Sequence, residues 1–164
     1  MADGGASTFI MLITGLLISS SVSALLITEW SAMARVAQKN QQGITFNSEL
    51  GIDFAGDPMM VDVETNPTGK ITFYLQNIGE HTMDHTKMEV LVNGVAPTSS
   101  PSATPVTGSS WDSNELVKIE IVDSAYGTSP FATGDDIRLY TIVSSNSVSG
   151  MYGSASMNVE VRLS

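Results

Sequence analysis

His81-Thr82-Met83-Asp84-His85 is the only place in the chain where imidazoles cluster. Two histidines at i and i+4 can ligate a divalent metal when the segment is helical, because that spacing puts both rings on one face. Here the segment follows Asn77-Ile78-Gly79 and lies between two strand patterns, and no third ligand is evident, so a surface loop is expected. Asp53, Asp57, Asp62 and Glu64 form one acidic set, and Asp135 with Asp136 another. Neither has the spacing of a calcium-binding loop, so a solvated acidic surface is expected. The chain has no cysteine, which removes disulfides, thiolate metal sites and thiol nucleophiles. It also lacks a Gly-x-Ser-x-Gly elbow, a phosphate loop and a dinucleotide fingerprint, so neither enzyme chemistry nor a cofactor is expected.

The residues with a more pointed arrangement lie nearer the N-terminus, and their chemistry is close packing. Gly15, Ser19 and Ser23 are spaced by four, and Ser20, Ala24 and Thr28 repeat that spacing beside them. Small residues in such rows let helix backbones approach, and their hydroxyls can bond across to a neighbour or back to their own carbonyls. An isolated anchor facing lipid has no use for such a seam. Self-assembly through this helix is therefore expected.

The element that carries these rows is long. Residues 4–28 hold no charge, and Ala6 to Ile27 is about 22 residues of apolar or small type, ~33 Å as a helix. That length crosses a hydrocarbon layer of ~30 Å. A secretory signal has a shorter apolar core after a positive start, whereas here Asp3 precedes the run. A buried core helix apolar on every side needs more cover than one small domain supplies. A membrane span or pilin-like rod fits best. Good helix formers continue from Glu29 to Gln42, and Leu26, Trp30, Met33 and Ala37 share one stripe, giving a helix of ~55 Å. Gly43 is the expected stop and the hinge to the rest of the chain, because glycine tolerates backbone angles closed to other residues. The division expected is 1–43 for the hydrophobic helix and 44–164 for a globular head.

The head alternates with period two. Ile44, Phe46, Leu50, Ile52 and Phe54 would share one strand face. Val61/Val63, Ile71/Phe73/Leu75, Met88/Val90/Val92, Val117/Ile119/Ile121, Ile137/Leu139/Val143 and Met157 to Leu163 come next, separated by turns such as Asn66-Pro67-Thr68-Gly69 and Asn93-Gly94. The fold class expected is α+β: a long N-terminal α-helix followed by an immunoglobulin-like antiparallel β-sandwich. The formal net charge is −10. Asp3 and Glu29 cancel Arg35 and Lys39, so the whole excess falls on the head, with 15 acidic and 5 basic residues. Such a head is a poor nucleic-acid partner. The segment Thr98 to Ser110 has eight Ser or Thr among its thirteen residues. It reads as an exposed loop, with Thr98, Ser99, Ser100, Ser102, Thr104 and Thr107 as candidate O-glycosylation positions. No Asn-X-Ser/Thr acceptor with X other than proline occurs.

The start Gly4-Gly5-Ala6-Ser7-Thr8-Phe9-Ile10-Met11-Leu12 resembles the N-terminal segment of archaeal flagellins, the archaellins. The segments Ile71 to Gly79, Glu89 to Gly94 and Ser110-Trp111 before the Val117–Ile121 strand resemble the β domain of the same family. The resemblance implies a structural subunit of the archaellum filament. Subunits of that family sit in the cytoplasmic membrane before assembly, and their helices then bundle as the filament core. Their heads form an outer sheath, often glycosylated, and a basal motor with its assembly machinery builds and turns the filament. Family precursors carry a basic residue and glycine before a peptidase cut. Here Asp3-Gly4-Gly5 precedes Ala6, so a cut after Gly5 lacks the basic residue. Arg35 and Lys39 alone favour a cytoplasmic C-terminal side, whereas the family pattern exports the head, and the exported head is the expectation taken. Two alternatives share the same layout: a membrane-anchored archaellum accessory protein that binds the surface layer and holds the motor, and an adhesive pilin.

Overall fold

The computed structural model describes residues 3–64, 69–122 and 131–164, so the turn expected over 66–68 lies outside the described residues. The chain divides into two compact units, the first ending at Gln42 and the second beginning at Gly43. Helix α1 spans Asp3–Ser48. Most of its hydroxyls bond back to its own backbone. Thr8 donates to Gly4 O, Thr14 to Ile10 O, Ser23 to Ser19 O and Thr28 to Ala24 O, all at 2.7–2.9 Å. Those bonds let polar side chains sit in an apolar helix without an unmet donor.

The helix does not stop at Gly43. It passes through that residue with no positive φ there and ends at Ser48. Ile44 and Phe46, expected on a strand, are its last turns. The reason is a comparison of two magnitudes. Glycine inside a helix costs about 1 kcal/mol, whereas burying a phenylalanine side chain contributes about 1.5–3 kcal/mol. Phe46 is only 4% exposed, and the helical path is what puts it into the head. A short alternating run reads equally well as strand or helix by periodicity alone. Past Ser48 the carbonyls of Thr45 and Asn47 are taken by the amides of Glu49 and Leu50 in a tightened last turn.

Among the described residues eight strands follow: β1 (Ile52–Ala55), β2 (Asp62–Glu64), β3 (Lys70–Asn77), β4 (Met83–Val92), β5 (Ser102–Pro105), β6 (Leu116–Val122), β7 (Asp136–Ser145) and β8 (Ser154–Arg162). They form two antiparallel sheets, ordered β1-β3-β6-β5, with β2 also on β3, and β4-β7-β8. β1 pairs with the second half of β3 and β2 with the first half, so the two share one edge. Counting that edge as one strand gives the four-plus-three order of an immunoglobulin constant-type sandwich. Alternation supplies the two inner faces: Ile71, Phe73, Leu75, Val117, Ile119 and Ile121 from one sheet, Val90, Val92, Leu139, Val143 and Val161 from the other. Trp111, fully buried, joins the same core.

The Thr98–Ser110 segment is not loop throughout. Ser102–Pro105 is an edge strand paired with β6, and Ala103 packs against the core. Proline is tolerated on an edge because its missing N–H need not face a partner strand. Composition alone makes this stretch read as loop, and it hides the one small apolar residue that makes a strand register possible.

Candidate assembly helix and its seat in the head

Every residue from 4 to 42 is exposed. The exposed set includes Phe9, Ile10, Met11, Leu12, Leu16, Leu17, Leu25 and Ile27 as well as Trp30 at 73% and Met33 at 71%. By length and composition the helix is able to cross a membrane. Gly15, Ser19 and Ser23 lie along one row, Ser20, Ala24 and Thr28 along the next, and Leu26, Trp30, Met33 and Ala37 along a third. Nothing lies within 4 Å of the place where a Cβ on Gly15 would stand. The surface is apolar, finely notched by small residues and uncovered, which suits it to close contact with other apolar helices or with lipid.

Within the second unit the end of α1 is seated by interactions that the periodic pattern does not announce. The Phe46 ring lies 4.7 Å from the His81 ring, and His81 Nε2 is 2.8 Å from Glu49 Oε2. The Glu80 amide donates to Glu49 O at 2.8 Å, and the Ile78 and Gly79 amides donate to Gly51 O. A Cβ on Gly79 would come within 2.7 Å of both Glu49 O and Gly51 N, so only glycine admits this approach. A Cβ on Gly153 would run into Asn47, Leu50 and Phe46 side chains from the other side.

The turn that receives the helix end is itself held by Asn77, which is fully buried. Its Nδ2 donates to His81 O at 2.8 Å and to Trp111 O at 3.2 Å, while its Oδ1 accepts from the Gly79 amide at 3.0 Å. Next to Trp111, Asp112 accepts the hydroxyls of Thr82 at 2.6 Å and Ser110 at 2.8 Å. Those two bonds, Thr82's first, hold its carboxyl below the usual carboxylate range. Asn77 and Gly79 stand out in the sequence as a turn ahead of the histidines, but their task at the helix end is visible only when 49–51 is placed beside them. Gly153 carries no local signal.

The other candidates fall elsewhere. His81 is turned to Glu49, and His85 lies on β4. Asp53 and Asp57 each accept an amide of their own loop or strand, and Asp135 accepts the Ala132 amide. Among the described residues no group of three His, Asp or Glu is placed to hold a metal ion. Thr98, Ser99, Ser100, Ser102, Thr104 and Thr107 are all exposed, and Ser102 and Thr104 are the outward residues of β5.

Two solved structures are similar in part. The CARDB domain of a Pyrococcus furiosus protein, determined in solution, is 14% identical, with a TM-score of 0.31, over 70% of this chain and 94% of that one. The GAE domain of yeast GGA1 is 15% identical, with a TM-score of 0.30, over 67% of this chain and 88% of that one. No curated protein matches the chain. The family model of archaeal-type flagellin matches residues 2–151, the apolar N-terminal helix and the sandwich through β7, and the chain belongs to that family of structural filament proteins.

Proposed function

We propose that the chain polymerises through α1 to build the archaellum filament that drives swimming, with the sandwich as its outer domain. The observation that carries this reading is the uncovered helix. Thirty-nine consecutive residues, 4–42, are exposed, and the first 25 of them are uncharged. Exposed apolar surface on that scale in water demands a partner. Before assembly lipid supplies it, so the precursor is a cytoplasmic-membrane protein. After assembly neighbouring helices supply it, and the rows at Gly15/Ser19/Ser23 and Ser20/Ala24 allow them to come close. The stripe Leu26, Trp30, Met33 and Ala37 continues the contact beyond the membrane-spanning length. The basal motor and assembly machinery of the archaellum are the further partners. The exposed hydroxyls of Thr98, Ser99, Ser100, Ser102, Thr104 and Thr107 are the sites proposed for O-linked sugars.

The test is a double substitution, Gly15→Leu with Ser19→Leu, studied by electron microscopy of sheared cell-surface filaments. Loss of filaments with a normally folded head supports assembly through these rows, and normal filaments would remove the rows from the interface. Mass spectrometry of native subunit covers the sugars, for which an unmodified 98–110 peptide is the negative result.

A further inference from the structure

Over residues 4–42 helix α1 carries three charged side chains, Glu29, Arg35 and Lys39, and all three are exposed. The ion pairs among the described residues all involve residues from Glu49 onward, so none joins these groups. Along one helix Glu29 and Arg35 cannot meet. They stand about 120° apart round the axis, outside the three- and four-residue spacings at which side chains touch. Trp30 and Met33, between them in sequence, are 73% and 71% exposed. Packing this surface against another helix takes the charges out of water, and a charge taken out of water is costly unless it is paired.

Few bases of the chain are free to take Glu29. The head has five, and four of them, Lys70, Lys87, Lys118 and Arg138, already hold a carboxylate of the same head. The fifth, Arg162, is registered opposite Asp136 in the β7–β8 ladder. The head also carries the whole net charge of −10, which repels a carboxylate brought to it. That leaves the bases of a neighbouring α1. We infer that Glu29 of one copy pairs with Arg35 of the next, the two helices running parallel with an axial offset of ~9 Å. This rests on assembly through α1 as read above. Arg35 is favoured over Lys39 on geometry. In a contact that repeats from copy to copy, the two residues that meet come from different sides of the helix. Arg35 lies about 120° round from Glu29, and Lys39 only about 80°. The planar guanidinium also binds a carboxylate through two bonds and is more weakly hydrated than an ammonium. Ser31, Ala32 and Ala34, between the pair in sequence, are small enough for backbones to come close. Because the contact is offset, it leaves Arg35 of one copy and Glu29 of the other open to further copies, and it propagates instead of closing into a dimer.

Charge exchange tests the pair in the full-length subunit, made in cells that lack any other copy. Filaments are counted by electron microscopy and divided by the amount of subunit in the membrane fraction, so that a change in insertion does not enter the count. Glu29→Arg alone and Arg35→Glu alone each bring like charges together and lower the count about tenfold or more. Glu29→Arg with Arg35→Glu restores opposite charges at the same offset and returns the count to within about twofold of wild type. Glu29→Arg with Lys39→Glu has the same net charge as that double variant and stays low. Wild-type counts from both single variants, or no recovery in the first double variant, would overturn the pair. Equal or better recovery in the second double variant would overturn it too. In each of these cases wild-type filaments that contain this subunit leave the filament reading standing. Wild-type filaments that contain none of it would overturn that reading and the pair together.

Discussion

At the scale of single residues the head is held by a few polar groups whose placement is costly unless every bond is made. Asn77 makes its bonds and organises the turn that receives the helix end. Thr141 does not. It sits on the inner face of β7, fully buried, and its hydroxyl has no hydrogen-bond partner among the described residues. A buried unsatisfied hydroxyl costs about 1–3 kcal/mol, and an apolar group of the same shape removes that cost. Thr141→Val should therefore raise the head's stability by about 1 kcal/mol in chemical denaturation, and unchanged or lower stability would mean the hydroxyl finds a partner. Asp112 sets a pH dependence. Its carboxyl is depressed in the folded head by Thr82 and then Ser110, so its contribution is full above the unfolded carboxylate pKa and is lost as pH falls through the lower folded value. Lys70 and Lys118 are raised by Glu64 and Glu120, so theirs is full below the ordinary lysine value and is lost as pH rises through the higher folded one. Stability should hold between these limits and fall below about pH 4. Asp112→Asn should flatten the acid limb, as read by denaturation midpoints across pH.

At the scale of elements the central issue is where the helix ends and the head begins. Gly43 lies inside α1, and nothing stands within 4 Å of the Cβ it lacks. Gly43→Ala should thus stabilise the helix by about 1 kcal/mol instead of straining it. Slower hydrogen exchange at the amides of residues 43–47 in the detergent-solubilised chain is the expected readout. Faster exchange there would restore the hinge. The strands were legible because a sheet with one wet face writes its burial into alternation. Ile71/Phe73/Leu75 and Val117/Ile119/Ile121 are all buried as their spacing requires. The helix end was not legible. What decides it is Phe46 meeting His81, distant in sequence, with Gly153 leaving room on the other side. Long-range fits of this kind leave no periodic trace. β5 was hidden for the opposite reason, since a serine, threonine and proline composition reads as loop although a single partly buried Ala103 is enough to align it with Ile119. The small-residue rows of α1 can be read as spacing, because such a row is a local pattern on one helix.

At the scale of the whole molecule, the question is whether the head is a free-standing domain and how much of the helix it owns. The sandwich closes a single core from both sheets, and about 120 residues suffice for an independent fold. The same head carries the whole net charge of −10, which favours a soluble monomer at low salt once the apolar helix is gone. Its last requirement is the turn that contains Phe46. A fragment beginning at Gly43 retains Phe46 against His81, the Glu49–His81 pair and the bonds from 78–80 to 49 and 51. A fragment beginning at Gly51 keeps every strand but leaves the His81 face and the Gly153 side of the seat without their occupant. Removing a buried phenylalanine costs about 3–5 kcal/mol, a large share of the roughly 5–15 kcal/mol that holds a typical domain. The fragment from Gly43 should be β-rich by circular dichroism, monomeric, and unable to polymerise. The one from Gly51 should unfold at clearly lower denaturant with an otherwise similar spectrum. Equal midpoints would show that the helix end rests on the head without supporting it. Filaments formed by the Gly43 fragment would transfer assembly from the helix to the head.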